Sequence, residues 1–221
     1  MEQAVIFDVD GVLLDLTAAE EDCFFAAFAA HCDPAALSRD WNAYEIRNDD
    51  DITDEIIAKQ GIAPALKPRI VDGYLSRLAA SLATGGLNSV TVPGAAGLLD
   101  ALHGTVRIGT ATANFREAAR LRLVHAGLWP FVEKLAFGAD GGGHKHQILA
   151  RAIAASGLPP ERIVYVGDNT NDVQAGLMNR VHFIGFSQVP GRLATLRQAG
   201  ATSVSDSHAQ TLELIRRFLN L

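Results

Sequence analysis

The sequence predicts an α/β protein: an open, doubly wound parallel sheet with a helical domain inserted after its first strand. Three observations carry this. Short runs rich in β-branched residues recur along the chain, and they are apolar almost throughout instead of alternating, as in strands covered on both faces. Helix-length segments separate them, which calls for crossovers between parallel strands. One interval, residues 16–90, breaks the rhythm and shows helical periodicity alone.

Ala4–Phe7 (AVIF) reads as the first strand. In the interval that follows, Glu20–His31, Asp51–Gln60 and Pro68–Leu82 read as helices. Gly85-Gly86 and Pro93-Gly94 punctuate its far end. The acidic triplet Asp49–Asp51 suits a helix start, where negative charge meets the positive end of the dipole. Val106–Ala111, Lys134–Phe137, Ile163–Val166 and Val181–Ile184 read as further strands. Arg116–Ala126, His146–Ser156, Asn171–Asn179, Gly191–Ala199 and Ala209–Leu219 read as the helices among them. The expected organisation is therefore a Rossmann-like core of residues 1–15 and 91–221, with residues 16–90 as a second, smaller domain. Its aromatics Trp41, Tyr44 and Tyr74 are expected in that domain's interior, with room for one to line a substrate pocket.

The 221 residues are 48% hydrophobic and 20% charged, a globular composition that excludes disorder. With 19 Lys and Arg against 25 Asp and Glu, the net charge is −6, which argues against nucleic acid as the main partner. No apolar run approaches the roughly 18–20 residues of a membrane span, and the N-terminus lacks the basic region of a signal peptide. Cys23 and Cys32 match neither a disulfide framework nor a metal site and are expected as small buried hydrophobes. The expectation is a cytoplasmic monomer or homodimer with no membrane or nucleic-acid partner.

In open α/β sheets, reactive groups gather beyond the carboxyl ends of the strands. Those ends carry Asp8-Val9-Asp10-Gly11, then Thr110-Ala111-Thr112-Ala113-Asn114, then a glycine-rich loop at Gly138–Gly143 followed by Lys145, then Gly167-Asp168-Asn169-Thr170-Asn171-Asp172. Four carboxylates converging on one crevice repel each other unless a cation joins them. An all-oxygen set without clustered His or Cys points to Mg²⁺ and away from zinc. His144 and His146 accordingly read as loop residues. Gly141–Gly143 reads as a flexible surface loop, because no Gly-Lys-Ser/Thr follows it. A hard cation, a lysine, a threonine hydroxyl and an aspartate nucleophile together describe phosphoryl transfer through an aspartyl-phosphate.

In order and spacing, FDVDGVLLD, the T-A-N after a strand, Lys145 and VGDNTNDV resemble the four motifs of the haloacid dehalogenase-like phosphohydrolase superfamily. The inserted helices sit where that family's C1-type cap lies, and TATANFREAARLRLVHAGLWPF is similar to the phosphoglycolate phosphatase-like and β-phosphoglucomutase-like branch. The resemblance implies that Asp8 is the nucleophile and Asp10 the general acid/base. It implies that Mg²⁺ is held by the side chains of Asp8 and Asp168 and the backbone carbonyl of Asp10, with Asp172 outside the first ring of ligands or orienting Lys145. Thr112 and the Ala113 N–H would bind phosphate oxygens, and Lys145 would neutralise developing charge. Thr110 stays a second candidate for the hydroxyl, because strand alternation turns it to the same face. The chain departs from the pattern in having Ala113 where Gly is commoner and His146 where Pro is frequent.

The implied activity is Mg²⁺-dependent hydrolysis of a small phosphorylated metabolite. A sugar phosphomutase of the β-phosphoglucomutase type and a non-catalytic phospho-receiver or binding protein are the alternatives. Dehalogenation needs neither Asp10 nor a metal, and a phosphonate hydrolase would need a cap lysine, for which only Lys59 and Lys67 are available. Arg47, Asp50, Thr53 and Asp54 are the candidates for setting specificity.

Overall fold

The computed structural model describes residues 2–15 and 18–221. Its strands are β1 (Ala4–Phe7), β2 (Arg107–Ala111), β3 (Ala136–Phe137), β4 (Ile163–Gly167), β5 (His182–Phe186) and β6 (Val204–Ser205). They form one sheet in the order β3-β2-β1-β4-β5-β6, and every pair is parallel. The helices are α1 (Ala18–Ala26), α2 (Asp49–Lys59), α3 (Lys67–Thr84), α4 (Ala95–Leu102), α5 (Arg116–His125), α6 (Trp129–Val132), α7 (Lys145–Ser156), α8 (Thr170–Asn179), α9 (Arg192–Gln198) and α10 (His208–Leu219).

The unbroken apolar run of β1 has a simple cause: both faces of the strand are covered. Val5 and Phe7 pack with Leu98 and Leu99 of α4, Leu123 of α5 and Ile215 of α10. Ala4 and Ile6 face the other way, against Ile148 and Leu149 of α7, Val173 of α8 and Leu196 of α9. All four β1 residues are fully buried. At roughly 25 cal/mol per Å² of apolar surface, these two layers carry most of the driving force for the sheet.

A third cluster lies off the sheet. Phe24 and Phe25 of α1, Ile52 and Ile56 of α2 and Leu78 of α3 pack together, joined by Phe115 and Ala118 at the start of α5. Tyr44 and Tyr74 are buried there, as expected. The chain runs to and from these helices along paired segments: the Asp15 N–H donates to the Val90 carbonyl at 2.9 Å, and the Val92 N–H to that of Leu13 at 3.0 Å. The expected boundary at Leu16 falls outside the described residues.

Some elements differ from the sequence reading. Past Ala26 the backbone tightens into i→i−3 bonds (Ala27 to Phe24, Phe28 to Phe25), so α1 stops short of His31. Lys134 does not begin a strand. Glu133–Leu135 is a 3₁₀ turn, and β3 is a two-residue edge strand paired only to β2. β6 is equally short. Helix α4 follows Pro93-Gly94, punctuation that marks its start as well as the insert's end, and its largely apolar sequence hides any stripe. Cys23 and Cys32 are free thiols at the margin of the third cluster, half-buried instead of fully enclosed.

Candidate active site

The strand order reverses direction at the β1/β4 boundary, the switch point at which α/β sheets open a crevice. Asp8 follows β1 directly, its N–H still donating to the Val166 carbonyl of β4 at 2.9 Å. Asp168 follows β4. Gly11 turns the β1 loop with a φ of +70°, and a Cβ there would lie 2.5 Å from Asp168 Oδ2, so only glycine lets the two loops close on each other.

The predicted carboxylates and lysine do converge. Lys145 opens α7 and is buried; its Nζ lies 2.8 Å from Asp8 Oδ2 and 3.0 Å from Asp172 Oδ1. Asp172 sits in the first turn of α8, where Oδ1 accepts the Tyr165 hydroxyl at 2.6 Å and Oδ2 the Asn169 N–H at 3.0 Å. Carboxylate oxygens of Asp8, Asp168 and Asp172 all lie within 4.8 Å of one another. Burial pushes the Asp8 carboxyl up to about 8 against the pull of Lys145, with Asp172, Asp168 and Asp10 adding to the rise. Burial and then Asp172 lift Asp168 to about 6, opposed by Arg192 and Lys145. Burial works against the Lys145 ammonium, but Asp172 and Asp8 outweigh it and hold its pKa above the ordinary value. These are the strains a hard cation relieves, and the donor set is all oxygen, so the residues fit Mg²⁺. Both Asp172 oxygens are engaged by donors, and so are both of Asp8, by the Val9 N–H at 2.8 Å and by Lys145; Asp168, bonded on Oδ2 by Arg192, is the freer side chain among the described residues.

Over this cluster opens a cavity of about 340 Å³, lined by Asp8, Asp10, Thr112, Ala113, Lys145 and Asp168 from the sheet side. Thr110 is buried in β2 and is not among the lining residues, whereas Thr112 is, its hydroxyl donating to Asn114 Oδ1 at 3.1 Å. Trp41, Arg47, Asn48 and Asp49 close the cavity from above. Of the four specificity candidates only Arg47 lines it. Asp50 and Asp54 pair with Lys67 at 2.9 and 2.7 Å, and Thr53 bonds its hydroxyl to the Asp49 carbonyl at 2.6 Å. Lys59 pairs with Glu55. Neither Lys59 nor Lys67 is among the lining residues of this cavity.

Several contacts were not foreseen. The N-terminus of α2 is fastened to the core: the Asp49 N–H donates to the Ala113 carbonyl at 2.9 Å, and Asp49 Oδ2 accepts the Phe115 N–H at 2.8 Å. The loop Gly141–Gly143 is tied down there too. Gly143 donates to Asp51 Oδ2 at 2.7 Å and accepts from Asn48 Nδ2 at 2.9 Å, and all three glycines have positive φ. His144 caps α7 and His146 lies in its first turn; neither belongs to the carboxylate cluster. Arg192 bonds both the carbonyl and the carboxylate of Asp168, at 3.0 and 3.1 Å. Arg122 reaches Asp10 Oδ1 at 2.6 Å from inside α5. Its signal was present in the sequence: with Ala118, Ala119 and Leu123 it lies on the buried stripe of α5, where a charge is seldom found without a partner.

Fold and site together are a Rossmann-like sheet with paired aspartates after β1 and β4, a buried lysine between them and further helices packed over the cavity. The profile of the haloacid dehalogenase-like hydrolases matches residues 2–178, and the chain belongs to that family. Among solved structures it is similar to CbbY from Rhodobacter sphaeroides in complex with phosphate, with 22% identity, 100% of both chains covered and a TM-score of 0.74. It is also similar to β-phosphoglucomutase from Clostridium difficile, with 20% identity, 100% of this chain and 98% of that one covered and a TM-score of 0.73. At these identities the likeness is one of fold. The tyrosine-protein kinase PtkA of Mycobacterium tuberculosis is 30% identical over 126 residues, covering 56% of this chain and 43% of that protein. The chain thus spans less than half the length of the curated relatives it matches.

Proposed function

We propose that the protein is a Mg²⁺-dependent phosphatase that hydrolyses a small phosphate ester through an aspartyl-phosphate on Asp8. The observation that carries this reading is the placement of Asp8 at the floor of the cavity, paired with Lys145 at 2.8 Å and facing Thr112 across the same space. The phosphate-bound state of CbbY supports a phosphate-bearing ligand. In this reading residues 18–90 act as a cap over the core. The two cysteines, both free thiols, suit a reducing, cytoplasmic setting.

In the first step an Asp8 oxygen attacks phosphorus, the ester P–O bond breaks, and Asp10 gives a proton to the departing alkoxide oxygen. Thr112 and the Ala113 N–H hold the non-bridging oxygens, and Lys145 balances charge that gathers on them. In the second step Asp10 takes a proton from water, which attacks the acyl phosphate; the bond to Asp8 breaks and inorganic phosphate leaves. Mg²⁺, held by Asp8, Asp168 and the Asp10 carbonyl, would supply charge neutralisation to both steps. Asp172 fixes Lys145 and does not touch the substrate. The cap roof excludes water while the ester is bound.

The test is a panel of phosphorylated metabolites, including phosphoglycolate and sugar phosphates, with p-nitrophenyl phosphate and Mg²⁺. Sustained phosphate release supports the reading. A stable phosphoprotein without turnover identifies a receiver instead, and isomerised sugar phosphate identifies a mutase. The name of the mycobacterial relatives supplies a further competing outcome, transfer onto tyrosine, so ATP with a tyrosine peptide belongs in the panel.

A further inference from the structure

A second buried charge network lies beside the carboxylate cluster, at the seam of α5, α1 and the Asp10 loop. The Arg122 side chain is 1% exposed. One nitrogen of its guanidinium donates to Asp10 Oδ1 at 2.6 Å and the other to Glu20 Oε1 at 2.6 Å. The second nitrogen also reaches Asn114 Oδ1 at 3.3 Å, and Asn114 in turn accepts from the Thr112 hydroxyl. No hydrogen bond to Asp10 Oδ2 occurs among the described residues, and Asp10 lines the cavity. One oxygen of the carboxylate is therefore pinned, and the other carries no hydrogen bond among the described residues in a side chain that borders the cavity.

A planar guanidinium transmits direction in a way a lone ammonium does not, because its donors form a rigid fork. Buried ion pairs add little net stability compared with apolar replacements of similar volume, so stability alone does not account for a charge on the buried stripe of α5. We propose that Arg122 is a positioning residue: anchored on Glu20 of α1 and on Asn114, it fixes the Asp10 carboxylate so that Oδ2 faces the leaving oxygen. Because Glu20 belongs to the inserted helices, the anchor joins the aim of Asp10 to the seating of those helices on the core. The inference rests on the phosphatase reading with Asp10 as proton donor.

The experiment compares kcat/KM, which reports the steps up to phosphorylation of Asp8 and not the later attack of water, on p-nitrophenyl phosphate, whose phenolate leaves without a proton, with kcat/KM on the alkyl phosphate that the wild type hydrolyses fastest. Positioned proton transfer contributes roughly 10²–10⁴-fold, so Arg122→Met is expected to lose at least about tenfold more on the alkyl ester than on the aryl ester. Arg122→Lys, which keeps the charge without the fork, should recover only part of that ratio. Arg122→Met strands the Glu20 carboxylate and risks misfolding; if circular dichroism shows that it does, Arg122→Met with Glu20→Leu is read by the same ratio. An equal loss on both esters, or an unchanged ratio in a folded variant, overturns the proposal. A wild type that hydrolyses neither ester overturns the phosphatase reading and this inference with it, and that result is distinct from any change among the variants.

Discussion

Asp49 Oδ2 accepts the Phe115 backbone N–H at 2.8 Å, which fastens the first turn of α2 to the loop that ends β2. The same carboxyl is buried, and burial lifts it to about 7 although the Phe115 N–H opposes the rise; the charge on Asp10 adds to it. The bond therefore holds α2 at the loop that follows β2, at an electrostatic cost.

Asp49→Asn keeps an acceptor for Phe115 and removes the charge. The folded pKa lies above the unfolded value near 3.8, so the wild type is penalised as pH rises from there to about 7, and the penalty is constant beyond. The Asn variant is expected to melt close to wild type at about pH 4.5 and several degrees higher at about pH 8. Asp49→Ala loses the acceptor as well and should melt below wild type at acid pH. An Asn variant with no pH-dependent gain would remove the buried charge from the account.

His208 gives the opposite slope. Its ring stacks on Phe186 with centroids 4.2 Å apart, Nε2–H donates to the Val12 carbonyl at 2.8 Å, and Nδ1 has no partner among the described residues. Burial lowers its pKa below the usual 6.5, against the pull of the Val12 carbonyl, and its place at the start of α10 also disfavours a cation. The unfolded chain takes up the proton first, so stability is lost as pH falls through about 6.5 toward the folded value. His208→Gln should flatten that part of the melting profile between about pH 7.5 and 5.5, measured as the difference from wild type. Parallel profiles would show that His208 does not titrate differently on unfolding.

Metal dependence follows from the oxygen donors. EDTA should abolish hydrolysis and Mg²⁺ restore it, while Ca²⁺ should not. Ca²⁺ accepts more ligands at longer range than the near-octahedral 2.0–2.1 Å of Mg²⁺, so it can draw in the second Asp8 oxygen and occupy the nucleophile. Full turnover in EDTA or with Ca²⁺ contradicts the site.

Asp8→Asn preserves shape and removes the nucleophilic charge. Turnover should fall by on the order of a thousandfold or more, with an unchanged circular dichroism spectrum. A variant keeping more than about a tenth of the wild-type rate would show that another group attacks phosphorus.

The core was legible because its signals are local. An apolar run such as AVIF has one explanation in an open sheet, and the acids that follow it fall where strand ends place them, so Asp8, Asp168, Asp172 and Lys145 were nameable from spacing and family likeness together. What the sequence hid depends on contacts between distant segments. Asp49 reads as an ordinary helix-start acid until α2 is seen against Phe115. Glu20 and Arg122 look like exposed helix charges unless the apolar stripes they interrupt are traced, since each charge is admissible only because the other lies across the seam. Edge strands β3 and β6 were blurred for another reason: two residues paired on one side need no pattern of their own.

In the proposed reaction Asp8 carries the phosphoryl group while Asp10 moves protons, and pre-steady-state kinetics of Asp10→Asn on p-nitrophenyl phosphate separates the two roles. The Asn carboxamide neither donates nor accepts the proton, but the backbone carbonyl at position 10 remains. The phenolate needs no acid, so the first step should survive, and the second should stall because nothing deprotonates water. The expected trace is a rapid burst of p-nitrophenol stoichiometric with enzyme and a very slow steady rate, with phosphate trapped on the peptide containing Asp8. Equal damage to aryl and alkyl esters, with no burst and no phosphoenzyme, would contradict it.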